Sequence, residues 1–296
     1  SAASDVYKRQ IKEYYKKWYV PNNMAICLSG DFDPDQMIAT IDKYFGGLKP
    51  NPDLPKLDLP KETPITVPVV REILGPDAES VALAWRFPGA ADKDVETLQV
   101  VSQILYNGQA GLIDLDLTQQ QKTLSAYCYP MTMSDYSAFM MQGRPKQGQT
   151  LDEVKDLLLG ELKKLREGDF DEKMLEANIN NFKLYQMQQL ENNDARADMF
   201  VESFVNGSDW ADEVTALDRM SKLTKDDIVA FANKYLKDDN YAVIYKKQGK
   251  DPNEKKMSKP EITPIVMNRD TVSTFLKEIQ ASVVTPIEPV FLDYSK

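Results

Sequence analysis

A chain of 296 residues with 42% hydrophobic side chains is long enough for two ordinary domains or one large one, with the apolar content for sizeable cores. Its 46 acidic against 36 basic residues leave a net charge of −10, which argues against nucleic acid as a partner, because an acidic chain gains nothing from counterion release. The absence of histidine removes Ser-His-Asp triads, Cys-His dyads, histidine acid–base chemistry and nearly every catalytic zinc site. That leaves carboxylate, lysine, tyrosine or backbone mechanisms, or chemistry carried by another segment.

In chain order, residues 6–19 read as a helix, with Ile11, Tyr14, Tyr15, Trp18 and Tyr19 at three- and four-residue spacing and lysines opposite. Pro21-Asn22-Asn23 breaks it, and residues 24–29 read as a buried strand in which Cys27 is a small buried hydrophobe. Asp33-Pro34 is a helix start, with a capping carboxylate and proline in the first turn, and Gly46-Gly47 is its stop. Residues 48–64 interleave Pro50, Pro52, Pro55, Pro60 and Pro64 with charges and read as an extended linker.

A second unit follows. Strands are expected at 66–73 and 80–87, and then a helix capped by Asp92 and running through Leu98, Val101 and Leu105. Asn107-Gly108-Gln109-Ala110-Gly111 is a flexible turn before a short helix, 112–120. Two more strands follow at 124–129 and 136–142. Thr150-x-x-Glu153, Asp169-x-x-Glu172 and Thr224-x-x-Asp227 read as capping boxes opening three helices, with further helical sequence over 196–220. Residues 241–245 form a closing strand. Residues 248–268 are polar and contain proline, 271–280 are an amphipathic helix, and the chain finishes in an extended apolar tail. No apolar run approaches the length needed to cross a bilayer, and two cysteines, Cys27 and Cys128, make no disulfide framework.

Residues 11–29 and 228–246 align without a gap. Ile11 matches Ile228, Lys17 matches Lys234, Asn23 matches Asn240 and Ala25 matches Ala242. Tyr14 stands opposite Phe231, Trp18 opposite Tyr235, Met24 opposite Tyr241 and Ile26 opposite Val243. Each copy is a helix, a polar turn and a strand, which favours duplication. In the second copy this unit closes a long domain; in the first it lies almost at residue 1. Tyr7-Lys-Arg-Gln10 also lacks the cap that Thr224-Lys-Asp-Asp227 provides, so residues 1–10 are expected not to be the natural lead into the first helix. The fold expected is α+β: two homologous units with mainly antiparallel sheets covered by helices, the first unit truncated.

Three places then carry a resemblance. They are Tyr14-Tyr15-x-x-Trp18-Tyr19-x-Pro21-Asn22-Asn23-Met24 with Ser29-Gly30-Asp31-Phe32-Asp33 and Tyr44-Phe45-Gly46; the turn Asn107 to Gly111 with Leu112; and residues 151–171. Together they resemble the insulinase/pitrilysin family of zinc metallopeptidases. The resemblance implies that residues 1–47 are the C-terminal remnant of a first, catalytic domain, 48–64 a linker, 65–248 a second, non-catalytic domain, and 249–296 the start of a hinge to a second lobe. It implies zinc in the parent protein, held by His-x-x-Glu-His on a helix upstream of Tyr14, with the glutamate activating bound water. No residue of this chain matches that motif, so no catalytic, metal or cofactor-binding residue is assigned, and no cofactor is expected in this chain. The implied partners are a peptide substrate, the missing catalytic segment and the second lobe. The implied function is chamber wall and interlobe connection in peptide hydrolysis, inactive alone. The alternative is a fragment of a catalytically dead structural or partner subunit of the same family; a stand-alone binding module fits less well.

Other clusters have plainer readings. Asp92, Asp94, Glu96, Asp114 and Asp116 would make an oxygen-ligand metal site only if several converged, and caps and helix faces are the commoner use. Met131, Met133, Met140 and Met141 read as core filling before a peptide groove. Gly143-Arg144-Pro145-Lys146 is a basic strand tip that could touch an acidic substrate, but its default is a solvated turn.

Overall fold

The strand expected over 80–87 forms as β2 (Ser80–Pro88), which buries every second residue. A computed structural model describes residues 2–56, 59–252 and 271–283. Residues 1–252 form one compact unit. Its sheet contains β1 (Val69–Gly75), β2, β3 (Ser125–Met131), β4 (Tyr136–Arg144) and β5 (Tyr241–Gln248), in the order β1-β5-β2-β4-β3. β1 and β5 are parallel and the other pairs antiparallel, so the expected mainly antiparallel sheet is observed.

Helices cover one face of this sheet. Val81, Leu83, Trp85 and Phe87 of β2, Phe139 and Met141 of β4, and Val243 of β5 pack with Leu98, Val101 and Ile104 of α3 (Lys93–Leu105). Val154, Leu158 and Leu162 of α4 (Leu151–Glu167) and Ile228 and Ala232 of α8 (Lys225–Tyr235) complete the core. Gly143 lets α4 approach: a Cβ there would lie 2.4 Å from Val154 Cγ1. Between α4 and α8 run α5 (Glu172–Leu190), α6 (Asn193–Asn206) and α7 (Trp210–Met220). The helical stretch expected over 196–220 is thus two helices, separated where Gly207 adopts a left-handed φ of 66°.

Local capping chemistry sets most helix starts. Asp33 accepts from Gln36 N at 2.9 Å to open α2 (Pro34–Phe45). Asp92 caps α3, and Thr150 and Thr224 form complete capping boxes. The box expected at Asp169 is absent. Gly168 ends α4 in a left-handed turn, and the Asp169 amide donates back to Lys164 O at 2.8 Å, so Asp171 caps α5 instead. β1 begins three residues later than expected, after the proline at position 68. The last described helix, α9 (Thr274–Ala281), is capped by Ser273. The polar stretch 253–268 and the tail 284–296 lie outside the described residues. No described helix is long and apolar enough to cross a membrane.

The two copies of the repeat differ in what covers them. α1 (Ala2–Trp18) corresponds to α8, and residues 24–28 correspond to the start of β5. Ile228 is fully buried while Ile11 is 69% exposed; Val243 is 2% exposed and Ile26 47%. β5 is paired on both sides, whereas residues 24–29 are extended with no strand partner among the described residues. The expected buried strand is therefore corrected: its apolar residues stand open, and Cys27 is only partly buried. A strand's apolar side chains are buried only when it joins a sheet and a further layer packs on that face, neither of which the strand's own sequence encodes. Amide exchange is expected to be fast at residues 25–28 and slower by several orders of magnitude at 242–245; equal protection would mean a partner strand is present.

Candidate functional site

The sheet face away from the helices is open, and register decides which side chains line it. Arg71, Ile244, Ala82, Gln142 and Tyr127 form one row across the five strands. Val69, Ala242, Ala84, Met140 and Tyr129 form the next, and Arg86, Ala138 and Met131 form a third. Adjacent strands are about 4.8 Å apart and successive rows about 7 Å, so the face is large enough for an extended peptide. Small alanines at the centre make it shallow. Tyr127 and Tyr129 stack with ring centres 6.1 Å apart, and the Tyr127 hydroxyl donates to Gln142 Oε1.

The methionines divide by this register. Met141 faces the helices and is fully buried, as core filling requires, but Met140 lies half-buried on the open face and Met131 and Met133 are exposed. The expectation of core filling is thus corrected for three of the four. At one end of the face, residues 59–65 and the β3–β4 connection enclose a cleft of about 590 Å³, lined in part by Ile65, Arg86, Pro88 and Tyr136. Arg86 Nη1 donates to Thr63 O at 3.0 Å and its guanidinium lies 5.6 Å from the Tyr136 ring centre.

The glycine turn is built around a buried carboxylate. Asp114 Oδ2 accepts from the backbone N–H groups of Asn107, Gly108 and Gly111 at 3.0, 3.0 and 2.9 Å. Gly111 is required by space, since a Cβ would sit 2.6 Å from Leu105 O. The short helix that follows contains a wide turn, Asp114–Thr118, in which Gln119 N donates to Asp114 O. The sequence offered Asp114 only as one member of an acidic cluster; its role as acceptor for the turn appears with the fold.

The remaining acidic residues of that cluster do not converge. Asp92 caps α3. Asp94 accepts from Lys234 Nζ at 2.8 Å and from the Tyr235 hydroxyl. Burial works to raise the Asp94 pKa, but these two donors prevail and hold the carboxyl below its usual range. Asp116 is likewise lowered: burial opposes, and the hydrogen bond from Lys164 at 2.8 Å prevails. Glu96 pairs with Arg219. Among the described residues no three metal-capable side chains come together. Cys128 is buried and its thiol donates to Ser102 O at 3.7 Å, with burial pushing its pKa far up. Iodoacetamide in mildly alkaline buffer is expected to alkylate Cys27 in the native protein and Cys128 only after unfolding; mass spectrometry of peptides from both states checks this.

Comparison with known proteins places this architecture. The sequence profile described as the peptidase M16 inactive domain matches residues 5–182. The zinc protease PqqE of Helicobacter pylori is 24% identical over 245 residues, which are 81% of this chain and 54% of the relative. The chain therefore spans about half the length of the curated relative it matches. The crystal structure of a protease from Helicobacter pylori superposes with a TM-score of 0.76 at 21% identity, covering 81% of this chain and 58% of that one. A peptidase M16 inactive domain from Pseudomonas fluorescens gives 0.64 at 16% identity over 74% of this chain and 52% of that one. The periplasmic protease PqqL of Escherichia coli gives 0.63 at 16% identity over 80% and 28%. On the profile match, which spans more than half its length, and with the fold in agreement, the chain belongs to the peptidase M16 inactive domain family.

Proposed function

We propose that this chain is the non-catalytic portion of a two-lobed zinc metalloendopeptidase of the insulinase/pitrilysin type. Residues 1–47 would be the end of a catalytic domain, 48–64 a linker, 65–248 a second domain whose open sheet face forms part of the chamber wall, and 249–296 the start of the interlobe connection. The observation that carries the reading is the uncovered copy of the repeat. α1 and residues 24–28 present the apolar face that α8 and β5 bury, and a partner sheet supplied by another segment would cover it. Leu184 and Met187 on α5 and Phe204 and Val205 on α6 are further exposed apolar side chains, as contact with a neighbour would require.

Zinc belongs elsewhere in this reading. The chain has no histidine, and Asp94, Glu96, Asp114 and Asp116 are each engaged by separate donors. These residues do not fit a catalytic zinc, and no step of hydrolysis is assigned to them. The isolated chain is expected to leave fluorescent casein and internally quenched peptides uncut, with or without added zinc. Cleavage that needs zinc, stops with chelator and copurifies with the folded chain would overturn the assignment.

A further inference from the structure

The open face of the sheet differs in charge from the rest of the molecule. Arg71, Arg86, Arg144 and Lys246 all lie on it by register, and no strand position of that face holds Asp or Glu, in a chain of net charge −10. Arg144, Ser80 and Lys246 share one row, with Arg71 in the next, and Arg86 stands three rows from Arg144 along β2. Several cations elsewhere are already neutralised. On other surfaces Lys155, Lys164, Arg166, Arg219 and Lys234 each bind a carboxylate. Among the described residues none of the four on the open face does. Arg86 donates to Thr63 O, Arg71 to Val70 O, and Lys246 to Ala78 O at 2.9 Å and to Asp77 O. The neighbouring acids stand off the strand rows: Asp77 and Glu79 in the β1–β2 turn, Glu62 and Asp135 beside the cleft. A wall with unpaired cations around an apolar middle favours an anionic occupant, and the protein's overall negative charge is screened beyond about 8 Å at physiological salt.

We propose that the open face of the sheet binds an extended acidic peptide, whose carboxylates meet Arg71, Arg144 and Lys246 at one end and Arg86 toward the other, with its apolar side chains on the alanine and methionine rows between them. This rests on the chamber-wall reading and gives it a substrate class. The basic strand tip noted in the sequence thereby contributes Arg144 to a surface rather than to a solvated turn.

The test uses the 296-residue chain and two fluorescein-labelled peptides of equal length and apolar content, one carrying glutamates and the other lysines at the same positions. Anisotropy at low salt is expected to show the acidic peptide binding at least about tenfold more tightly, a preference that collapses at high salt. The triple variant R71Q/R144Q/K246Q should abolish the preference. The control K163Q/K183Q/K222Q, of the same net charge and folded by circular dichroism, should keep it. Benzoyl-phenylalanine in place of Tyr129 reports whether any peptide sits on the face. Crosslinking of both peptides with equal affinity would overturn the acidic preference and leave the wall reading standing. No crosslink to either would remove both. Equal loss in the control triple, or displacement of the acidic peptide by an equimolar DNA oligonucleotide, would also overturn the proposal.

Discussion

Asp114→Ala is expected to lower the free energy of unfolding by about 3–5 kcal/mol, because one buried carboxylate oxygen serves three backbone donors at once. Hydrogen bonds to a charged acceptor contribute roughly 1.5–3 kcal/mol each, and the loss is moderated where water reaches the partly buried amides of Asn107 and Gly108. The turn has little means of relaxing. Gly111 is pressed against the backbone at Leu105, and Asn107 Oδ1 is already committed to the amides of Gln109 and Ala110 at 3.0 and 2.8 Å. Asp116→Ala, two residues away, removes a half-exposed pair with Lys164 and should cost only about 1 kcal/mol or less. Urea titration of both variants checks the contrast, and equal losses would mean the turn is not organised by Asp114.

The second large effect is expected at Trp85, where alanine should cost about 3–5 kcal/mol. The side chain is fully buried between Phe139 and Tyr241, with ring centres at 6.3 and 5.1 Å, and its indole N–H donates to Lys237 O at 3.0 Å. Truncation opens a cavity at the centre of the sheet and strands that carbonyl at the α8–β5 turn. Because Tyr241 begins β5, the midpoint loss should be accompanied by faster amide exchange across 241–245. Trp85→Phe keeps most of the volume and loses the hydrogen bond, so it should fall between the two. A variant as stable as the parent would place Trp85 outside the core.

What could be read from the sequence was local. Asp33, Asp92, Thr150 and Thr224 cap helices through side chain–backbone bonds three residues long or shorter, and each lies where the sequence placed it. Asp169 was misleading for an equally local reason: the left-handed Gly168 before it draws its amide into the end of α4. Non-local facts were out of reach. β5 inserts between β1 and β2, about 170 residues away in the chain, and nothing in residues 241–248 specifies a parallel neighbour on one side and an antiparallel one on the other. Residues 24–28 carry the same apolar signal as β5, yet stand open, since burial belongs to the pairing and not to the strand. The basic wall was invisible for the same reason. Arg71, Arg86, Arg144 and Lys246 come from four strands and share a face only once the register is known.

The central question is whether the uncovered first unit is the end of a catalytic domain. The most direct measurement is the coding sequence upstream of residue 11 in the gene that encodes this chain, read independently of the present N-terminus. The expected result is a helix bearing His-x-x-Glu-His, a further glutamate downstream of it, and strands able to flank residues 24–28 as β1 and β2 flank β5. The same strands with the metal ligands replaced would contradict the peptidase reading and make the parent a structural or partner subunit.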